Sequence, residues 1–432
     1  MDARVGAEWD TLRTVVMHRP GMEMFFGLLE PYASLYERAF SQDGAVTEHQ
    51  HLEEILHHEF GVRVIHVRES ITSAADRDPA KRKRLEDAAR DSIRFTGDRK
   101  EALLSEQEFL KSSSAHDSGF FFDLLLMNPS INFRAGRGVR EISLAITERQ
   151  PLSNLYFMRD QQAVTKNGVV QGAMSKPQRA REPAITRLLW EITGTPVVAG
   201  ISGSGTFEGG DFLPMKEFAL VGMGDRTNPE GVRQFLASGP AFDEIGIVSQ
   251  PLHPLVPGEM PDPMVSMHLD TWFNVASGGV VIGPEVLMKY AKLEIFCRDG
   301  ETFRKEGPVT DLSTYIRGKG FDIINITTLE QMAYASNFLC VREGTIVAVE
   351  VDRIVKAVLT TLAAKAEMAP VRYGALYAQC LKDYQSLKSE GQFFPHKKEV
   401  YNHDIDAYPV SLRNLTGGYG AAHCLTCTVK RG

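Results

Sequence analysis

From His268 to Tyr290 the chain reads HLDTWFNVASGGVVIGPEVLMKY. In this stretch an acidic segment leads across the turn Gly278-Gly279 to the apolar strand Val280–Ile282, and a short helix follows from Pro284. The order of strand, tight turn, strand and helix is that of one compact supersecondary unit, in which the helix covers the apolar strand. The stretch therefore predicts an α/β fold.

Three further segments repeat this order at intervals of roughly 50 to 70 residues. We call the segment before each apolar strand its lead-in. In the order lead-in, apolar strand and helix, the three units are 154–160, 169–170 and 182–192; 207–211, 218–221 and 228–237; and 337–341, 346–349 and 352–364. A strand over 12–17 begins another unit near the start of the chain. Units of this length bury one another's apolar faces, and about five of them would close a ring. We therefore predict a five-bladed, pseudo-symmetric α/β-propeller, with the acidic lead-ins converging on its axis.

Residues 68–146 interrupt the repeat. Within them, 79–93 and 99–111 carry charges at helical spacing, with apolar residues every three or four positions. This pattern is typical of folded helices and not of a linker. We predict a single catalytic α/β-propeller domain over residues 1–432, with an inserted helical subdomain over 68–146.

The composition is that of an ordinary globular protein with a large core: of 432 residues, 43% are apolar and 24% charged. The net charge of −7 gives no reason to expect nucleic acid or an anionic membrane as a partner. The sequence shows no signal peptide and no membrane-spanning run, and its five sparse cysteines argue against a secreted disulfide scaffold. We predict a cytoplasmic protein that binds a small molecule. The sequence leaves a homo-oligomer open.

Acidic segments precede the apolar strands of three successive units: Phe157-Met158-Arg159-Asp160, Glu208-Gly209-Gly210-Asp211 and His268-Leu269-Asp270. Taken singly, each segment is more often a solvated turn than a functional site. Their recurrence at equivalent places in the repeat favours a shared function. If the third segment is a strand, His268 and Asp270 face the same side, because side chains alternate along a strand.

A glycine-rich turn runs into Cys424 near the end of the sequence. A free cysteine is most often a small buried apolar residue, yet close backbone amides and a nearby imidazolium can hold it as a thiolate. Cys424 and Cys427 are spaced like half of a zinc site, but the other cysteines are isolated, so we predict no metal and no cofactor. Carboxylates, a histidine and this cysteine form a set that can hold a guanidinium and attack its central carbon.

Six motifs together carry a specific resemblance: RTVVMHRPG (13–21), NLYFMRD (154–160), EGGD (208–211), GMGDRTN (222–228), MHLDTW (267–272) and HCLTC (423–427). On these motifs the sequence resembles the guanidino-group modifying enzymes, and most closely the arginine deiminases, over nearly the whole chain. The resemblance implies a five-bladed α/β-propeller with a helical insertion. It also implies hydrolysis of free L-arginine to L-citrulline and ammonia through a covalent amidino-cysteine intermediate.

The positions of these motifs imply roles for individual residues. The resemblance makes Cys424 the nucleophile and His268 the general acid and base. Asp160 and Asp270 would hold the guanidinium, and Glu208 would lie beside His268. The residues implied to bind substrate are Asn154 and Phe157 along its side chain and head, Arg179 and Arg226 on its α-carboxylate, and Asp211.

Other activities remain open at the level of the sequence. Tyr419 stands where the deiminases usually carry an arginine, and amidinotransferases also lack that arginine. Transfer of the amidino group to an amine is therefore an alternative, as is hydrolysis of a modified arginine, although the EGGD and RTN segments favour a deiminase. A non-catalytic binding protein is disfavoured, because every catalytic position is filled.

Overall fold

The structure, a computed structural model, describes residues 2–135 and 142–432. None of the helices in these ranges is both long and apolar enough to cross a bilayer. The strands are β1 (Leu12–Met17), β2 (Arg63–His66), β3 (Arg94–Gly97), β4 (Pro129–Ala135), β5 (Ile142–Arg149), β6 (Gln162–Thr165), β7 (Gly168–Gln171), β8 (Val197–Gly200), β9 (Phe212–Met215), β10 (Phe218–Met223), β11 (Glu244–Ser249), β12 (Asn274–Ser277), β13 (Val280–Gly283), β14 (Lys292–Asp299), β15 (Thr302–Asp311), β16 (Asp322–Asn325), β17 (Leu339–Arg342), β18 (Thr345–Val349), β19 (Asp406–Val410) and β20 (Cys427–Arg431).

The helices are α1 (Met22–Leu28), α2 (Gln42–Glu54), α3 (Val67–Arg77), α4 (Pro79–Ser92), α5 (Arg99–Lys111), α6 (Ser118–Met127), α7 (Glu182–Thr193), α8 (Pro229–Ala237), α9 (Glu285–Tyr290), α10 (Leu312–Gly318), α11 (Thr328–Met332), α12 (Val351–Met368), α13 (Pro370–Glu390) and α14 (Lys398–Asn402). The elements confirm the α/β class predicted from the sequence.

Several sheets of the described chain share one pairing order, in which a central strand pairs antiparallel with one neighbour and parallel with the other. The strand groups with this order are β20-β1-β2, β6-β7-β8, β9-β10-β11, β12-β13-β16 and β17-β18-β19. The third group is extended by β14 and β15 into a five-stranded sheet. In the last four of these groups the antiparallel pair is a hairpin whose second strand was predicted from the sequence, and the parallel strand follows a helical crossover. In the first of these sheets, the outer strand β20 comes from the far end of the sequence, with Cys427 opposite Val16.

The second of these units shows why the sequence folds in this way. The buried residues of α7 include Ile185, Leu188, Leu189 and Ile192, a spacing that places them along one side of a helix. The helix ends at Gly194, whose φ of 64° is the left-handed conformation that glycine adopts without a steric penalty. The chain then turns back into β8, parallel to β7.

The acidic lead-ins are tight turns that precede the hairpins. Leu269–Thr271 and Gly209–Asp211 are 3₁₀ turns, so the expectation that His268-Leu269-Asp270 is a strand is wrong. The backbone N–H of Thr271 donates to the carbonyl of His268, which closes the turn. His268 and Asp270 therefore reach different partners in the site.

The region predicted as a helical insertion contains α3 to α6 and also a three-stranded sheet, β3-β4-β5. The predicted helices at 79–93 and 99–111 correspond to α4 and α5. The strands were not predicted from the sequence. Residues 136–141 of the predicted 68–146 range lie outside the described residues.

The core is divided among several apolar clusters that hold the turns in place. The largest includes Trp272, Phe273 and Phe338, which follow directly on the turns of two successive units. A further cluster contains Phe207 and Phe235, whose rings stack with centroids 4.7 Å apart. Residues next to the polar lead-ins are thus anchored in the core, which fixes the lead-ins relative to each other.

Candidate active site

A small cavity of about 10 Å³ lies among the lead-in turns. Its wall is formed by Leu35, Asn154, Phe157, Asp160, Arg179, Arg226, Met267, Gly418, Tyr419 and Cys424. Six of the residues predicted to bind or attack the substrate therefore lie together in the wall of this cavity. A space of this size holds about one water molecule, so a larger ligand requires part of the wall to move.

Cys424 lies in the turn before β20 and is 2% exposed. Its Sγ is 3.5 Å from Oδ2 of Asp270 and accepts a 3.1 Å hydrogen bond from Nδ2 of Asn337. Burial raises the pKa of the Cys424 thiol well above its usual value, and the negative charges of Asp270 and Asp160 raise it further. In this arrangement the protonated thiol is the favoured form.

Asp270 is held by a buried chain of charged groups. Its Oδ2 accepts a 2.7 Å hydrogen bond from Nδ1 of His423. On the other side of the ring, Nε2 of His423 is 3.6 Å from Glu8, which Arg431 contacts at 2.9 Å and Arg159 at 3.5 Å. Burial alone would raise the pKa of Glu8, but the two arginines outweigh it and lower that pKa. Glu8 is therefore a carboxylate that holds the ring of His423 against Asp270.

His268 is fully buried between two carboxylates. Its Nε2 is hydrogen-bonded to Oε2 of Glu208 at 2.8 Å, and its Nδ1 is 3.6 Å from Oδ1 of Asp160. Burial alone would lower the pKa of His268, but the charge of Asp160 and the hydrogen bond to Glu208 outweigh it and raise the pKa to about 9. The imidazole is therefore a cation at neutral pH, as a general acid requires.

Glu208 lies between His268 and the guanidinium group of Arg226. Its Oε1 accepts a 2.9 Å hydrogen bond from the backbone N–H of Ser175, and its Oε2 is 3.7 Å from Nη1 of Arg226. Burial alone would raise the pKa of Glu208, but the charge of Arg226 and the hydrogen bond to His268 lower it below the usual value. Glu208 therefore stays ionised and keeps His268 charged.

Arg179 pairs with acids at both ends of its guanidinium group. Nη1 donates to Oδ2 of Asp160 at 2.7 Å, while Nε and Nη2 donate to Glu182 at 3.0 and 2.8 Å. Arg179, which was expected to bind the substrate's carboxylate, is therefore paired in this structure with Asp160, which was expected to bind the substrate's guanidinium. Its carboxylate-binding role stays a prediction.

The remaining predicted residues differ in their placement. Asn154 lies in the cavity wall, and its Nδ2 donates to the backbone oxygen of Ser34 at 2.7 Å. Asp211 is absent from the wall formed by the described residues; it accepts hydrogen bonds from the Thr227 hydroxyl at 2.6 Å and from the backbone N–H of Leu269 at 2.9 Å. Burial raises the pKa of Asp211 to about 6. Its contacts hold the turn that carries His268, and its substrate-binding role stays a prediction.

Asp160, Glu208 and His268 offer ligand atoms within 4.8 Å of one another, a spacing that a metal ion can use. Two observations oppose this. Arg179 and Arg226 already supply positive charge at 2.7 Å from Asp160 and 3.7 Å from Glu208, and a protonated imidazole has no free lone pair for a metal. The donor set therefore does not fit a metal ion.

Sequence reasoning missed four residues that hold the site together, directly or through another side chain: Asn337, His423, Glu182 and Glu8. Two of them left a signal, since Asn337 begins the last repeated unit and His423 stands beside the cysteine in the HCLTC motif. Glu182 and Glu8 reach the site only through Arg179 and His423, and no sequence pattern marks such indirect contacts.

The sequence profile described as ADI, arginine deiminase, matches residues 33–431. The chain belongs to the arginine deiminase family. Within it, the chain is 26% identical to the arginine deiminase of Halobacterium salinarum, over 98% of this chain and 96% of that protein. It is 28% identical to the arginine deiminase of Rhodococcus erythropolis, over 80% of this chain and 87% of that protein.

Solved structures similar to this arginine deiminase family member include an amidinotransferase of the saxitoxin biosynthetic pathway from Microseira wollei. The two share 12% identity and a TM-score of 0.51, over 100% of this chain and 98% of the other. The N-terminal domain of an arginine dihydrolase from cyanobacteria gives 14% identity and a TM-score of 0.51, over 97% of both chains. At these identities the likeness concerns the fold alone, a mixed α/β fold that both of these structures share.

Proposed function

We propose that this member of the arginine deiminase family hydrolyses the guanidinium group of free L-arginine to L-citrulline and ammonia. It would then be a hydrolase of carbon–nitrogen bonds in linear amidines. The observation that carries the proposal is the contact of the Cys424 thiol with Asp270, where Cys424 and Asp160 line the same cavity. A nucleophile beside two buried carboxylates suits a planar cation whose N–H groups pair with carboxylate oxygens.

Substrate binding begins with an exchange of ion pairs. Arg179 holds Asp160 through Nη1, and the guanidinium of arginine offers the same donors to the same oxygens. Once displaced from Asp160, Arg179 keeps its contacts with Glu182 and turns Nη1 towards the substrate's α-carboxylate. Arg226, in the same wall, supplies a second cation for that carboxylate. The exchange leaves no carboxylate or guanidinium unpaired, which a buried site requires.

The head and stem of the substrate meet the less polar part of the wall. The ring of Phe157 lies against the turn that contains Gly418, where an added Cβ would be 2.8 Å from the ring. This ring packs on the methylene groups of the substrate. Asn154, released from its hydrogen bond to Ser34 as the wall opens, offers an amide to the substrate's head.

Binding of the cation also activates the thiol. The positive charge of the guanidinium offsets the charges of Asp160 and Asp270, so the pKa of Cys424 falls and its proton passes to solvent. The thiolate attacks the central carbon, which forms a sulfur–carbon bond and a neutral tetrahedral adduct. His268 gives its proton to the departing nitrogen, the carbon–nitrogen bond breaks, and ammonia leaves an amidino-cysteine cation.

Hydrolysis of this intermediate restores the enzyme. Neutral His268 takes a proton from water as the water oxygen bonds to the same carbon. The sulfur–carbon bond then breaks, which returns the thiolate, and the protonated citrulline loses its extra proton to solvent. Glu208 keeps the pKa of His268 high enough for the imidazole to be a cation again at the end of each cycle.

The architecture predicted from the sequence is part of the proposal. The shared pairing order of the sheets supports a five-bladed α/β-propeller, in which β20 joins β1 to close the ring. We infer one catalytic domain over residues 1–432, with 68–146 as an inserted subdomain. The cytoplasmic location and a homo-oligomeric state stay predictions.

The proposal is tested by incubating the protein with arginine alone and measuring citrulline and ammonia. We expect equal amounts of both, and an acid-quenched sample should carry an amidino mass on the peptide that contains Cys424. Cys424→Ala should abolish turnover. Cys427→Ala, a control at a buried cysteine outside the cavity wall, should retain it. Reversed effects of the two substitutions would overturn the choice of nucleophile.

Amidino transfer is the second candidate, and one observation favours it. Tyr419 lies in the cavity wall at the position where the deiminases usually carry an arginine. If no ammonia appears with arginine alone, but ornithine appears once glycine or another amine is added, the protein is a transferase. If an N-methylated arginine is turned over faster than arginine, the substrate is instead a modified arginine.

A further inference from the structure

Asn337 contacts the reacting sulfur and is fully buried. Its Nδ2 donates to Sγ of Cys424 at 3.1 Å and to the backbone oxygen of Asp270 at 3.0 Å. Its Oδ1 accepts from the backbone N–H groups of Ala421 at 2.7 Å and Cys424 at 3.2 Å. One amide thus joins the turn that carries the nucleophile to the segment that carries Asp270.

The surroundings fix which end of this amide faces the sulfur. The N–H groups of Ala421 and Cys424 can only donate, so they require the oxygen of Asn337 on their side. The carbonyl of Asp270 can only accept, so it requires the NH₂ group on the other side. A flipped amide would place donors against donors and leave buried groups unpaired. The group that faces Sγ is therefore an N–H donor.

We propose that Asn337 is a further catalytic residue, whose amide N–H stabilises the thiolate of Cys424 before it attacks and again when it leaves. This inference rests on the proposed function, because it concerns the same nucleophile. A thiolate accepts a hydrogen bond more strongly than a thiol, since a charged partner makes the bond shorter and stronger. The contact therefore favours the reactive form of the sulfur.

The other contacts of the sulfur make this donor necessary. Burial and the charges of Asp270 and Asp160 raise the pKa of Cys424, whereas the hydrogen bond from Asn337 lowers it. The substrate's cation lowers that pKa only while it is bound. Once the second tetrahedral adduct has collapsed and citrulline has lost its extra proton, no substrate cation remains beside the sulfur, and Asn337 remains as the donor to the thiolate. We therefore expect Asn337 to act on kcat more than on KM.

Two substitutions of Asn337 and one matched control test the proposal. Asn337→Asp keeps the shape and the accepting oxygen but replaces the donor with a negative oxygen, and Asn337→Ala removes the donor without adding charge. The control, Asn274→Asp, makes the same change at a buried asparagine whose Nδ2 donates to the backbone oxygen of Phe338 at 2.8 Å. The readouts are kcat and KM for arginine, and the pH dependence of Cys424 alkylation by iodoacetamide, followed by peptide mass mapping.

Both Asn337 variants should lower kcat by roughly 100-fold with little change in KM, a loss comparable to that of one donor in an anion-stabilising site. Their alkylation profiles should move to higher pH by about one unit or more, whereas Asn274→Asp should keep the wild-type profile. The inference is overturned if the alkylation profiles match the wild type, or if neither Asn337 variant folds while the control does. Alkylation needs no turnover, so it separates a failure of this inference from a failure of the proposed function.

Discussion

Raising the pH from about 7 to about 10 should destabilise the folded protein through one side chain, His268. This imidazole is fully buried against Glu208 and Asp160, and its pKa in the folded protein is about 9, compared with 6.5 for a free histidine. At pH 7 the folded protein therefore binds a proton here that the unfolded chain largely lacks. The resulting stability is complete below pH 6.5 and is lost as the pH rises through 9.

The size of the loss follows from the displacement of the pKa. One pKa unit corresponds to about 1.4 kcal/mol, so a displacement of roughly two and a half units gives about 3 kcal/mol of unfolding free energy. A starting pH of about 7 also avoids most of the titration of Asp211, whose pKa is about 6.

The assay is urea unfolding across this pH range for the wild type and for His268→Gln. We expect the difference in unfolding free energy between the two proteins to fall by about 3 kcal/mol as the pH rises. His51→Gln, on an exposed helix face, should follow the wild type throughout. A constant difference between wild type and His268→Gln would refute the reasoning that the two carboxylates hold the imidazole charged.

Three further predictions concern packing around the site and the caps that support it. Gly210→Ala should lower kcat by roughly 100-fold in a citrulline assay, because its Cβ would lie 2.8 Å from the ring of His268. Its control is Gly279→Ala, whose Cβ would meet nothing within 4 Å and which should keep full activity. Asn228→Ala removes the cap of α8 and should cost about 1–2 kcal/mol in urea unfolding. Phe235→Ala should cost about 3–5 kcal/mol by the same measurement, since its ring is fully buried in a stacked pair.

Local patterns were enough to predict the repeated units. The helix expected over 182–192 is α7, Glu182–Thr193, and the strand expected over 280–282 is β13, Val280–Gly283. These elements follow from apolar periodicity and from glycine turns, which are properties of a few adjacent residues. Six of the predicted site residues also lie together in one cavity wall, and their roles stay predictions.

Partners across the fold could not be predicted in the same way. The 3₁₀ turn after His268 is stabilised by a hydrogen bond from Leu269 to Asp211, and these residues are 58 positions apart. The amide of Asn337 reaches a sulfur 87 residues away. Nothing in the sequence around Arg179 indicated that its guanidinium would pair with Asp160. Such contacts depend on how whole units pack against one another, and a single sequence does not show which distant residues this packing brings together.

The pairing of β20 with β1 has a consequence for how firmly the nucleophile is held in the site. Cys424 stands just before β20, and that strand is held by Val16 opposite Cys427 and by the backbone of Thr11, which accepts from Gly432 at 2.8 Å. The position of the thiol therefore depends on a strand pair that joins segments far apart in the sequence, whereas His268 and Glu208 are held by turns of neighbouring units. Weakening the β1–β20 pair should displace the sulfur from the acids before it disturbs the ion pair between His268 and Glu208.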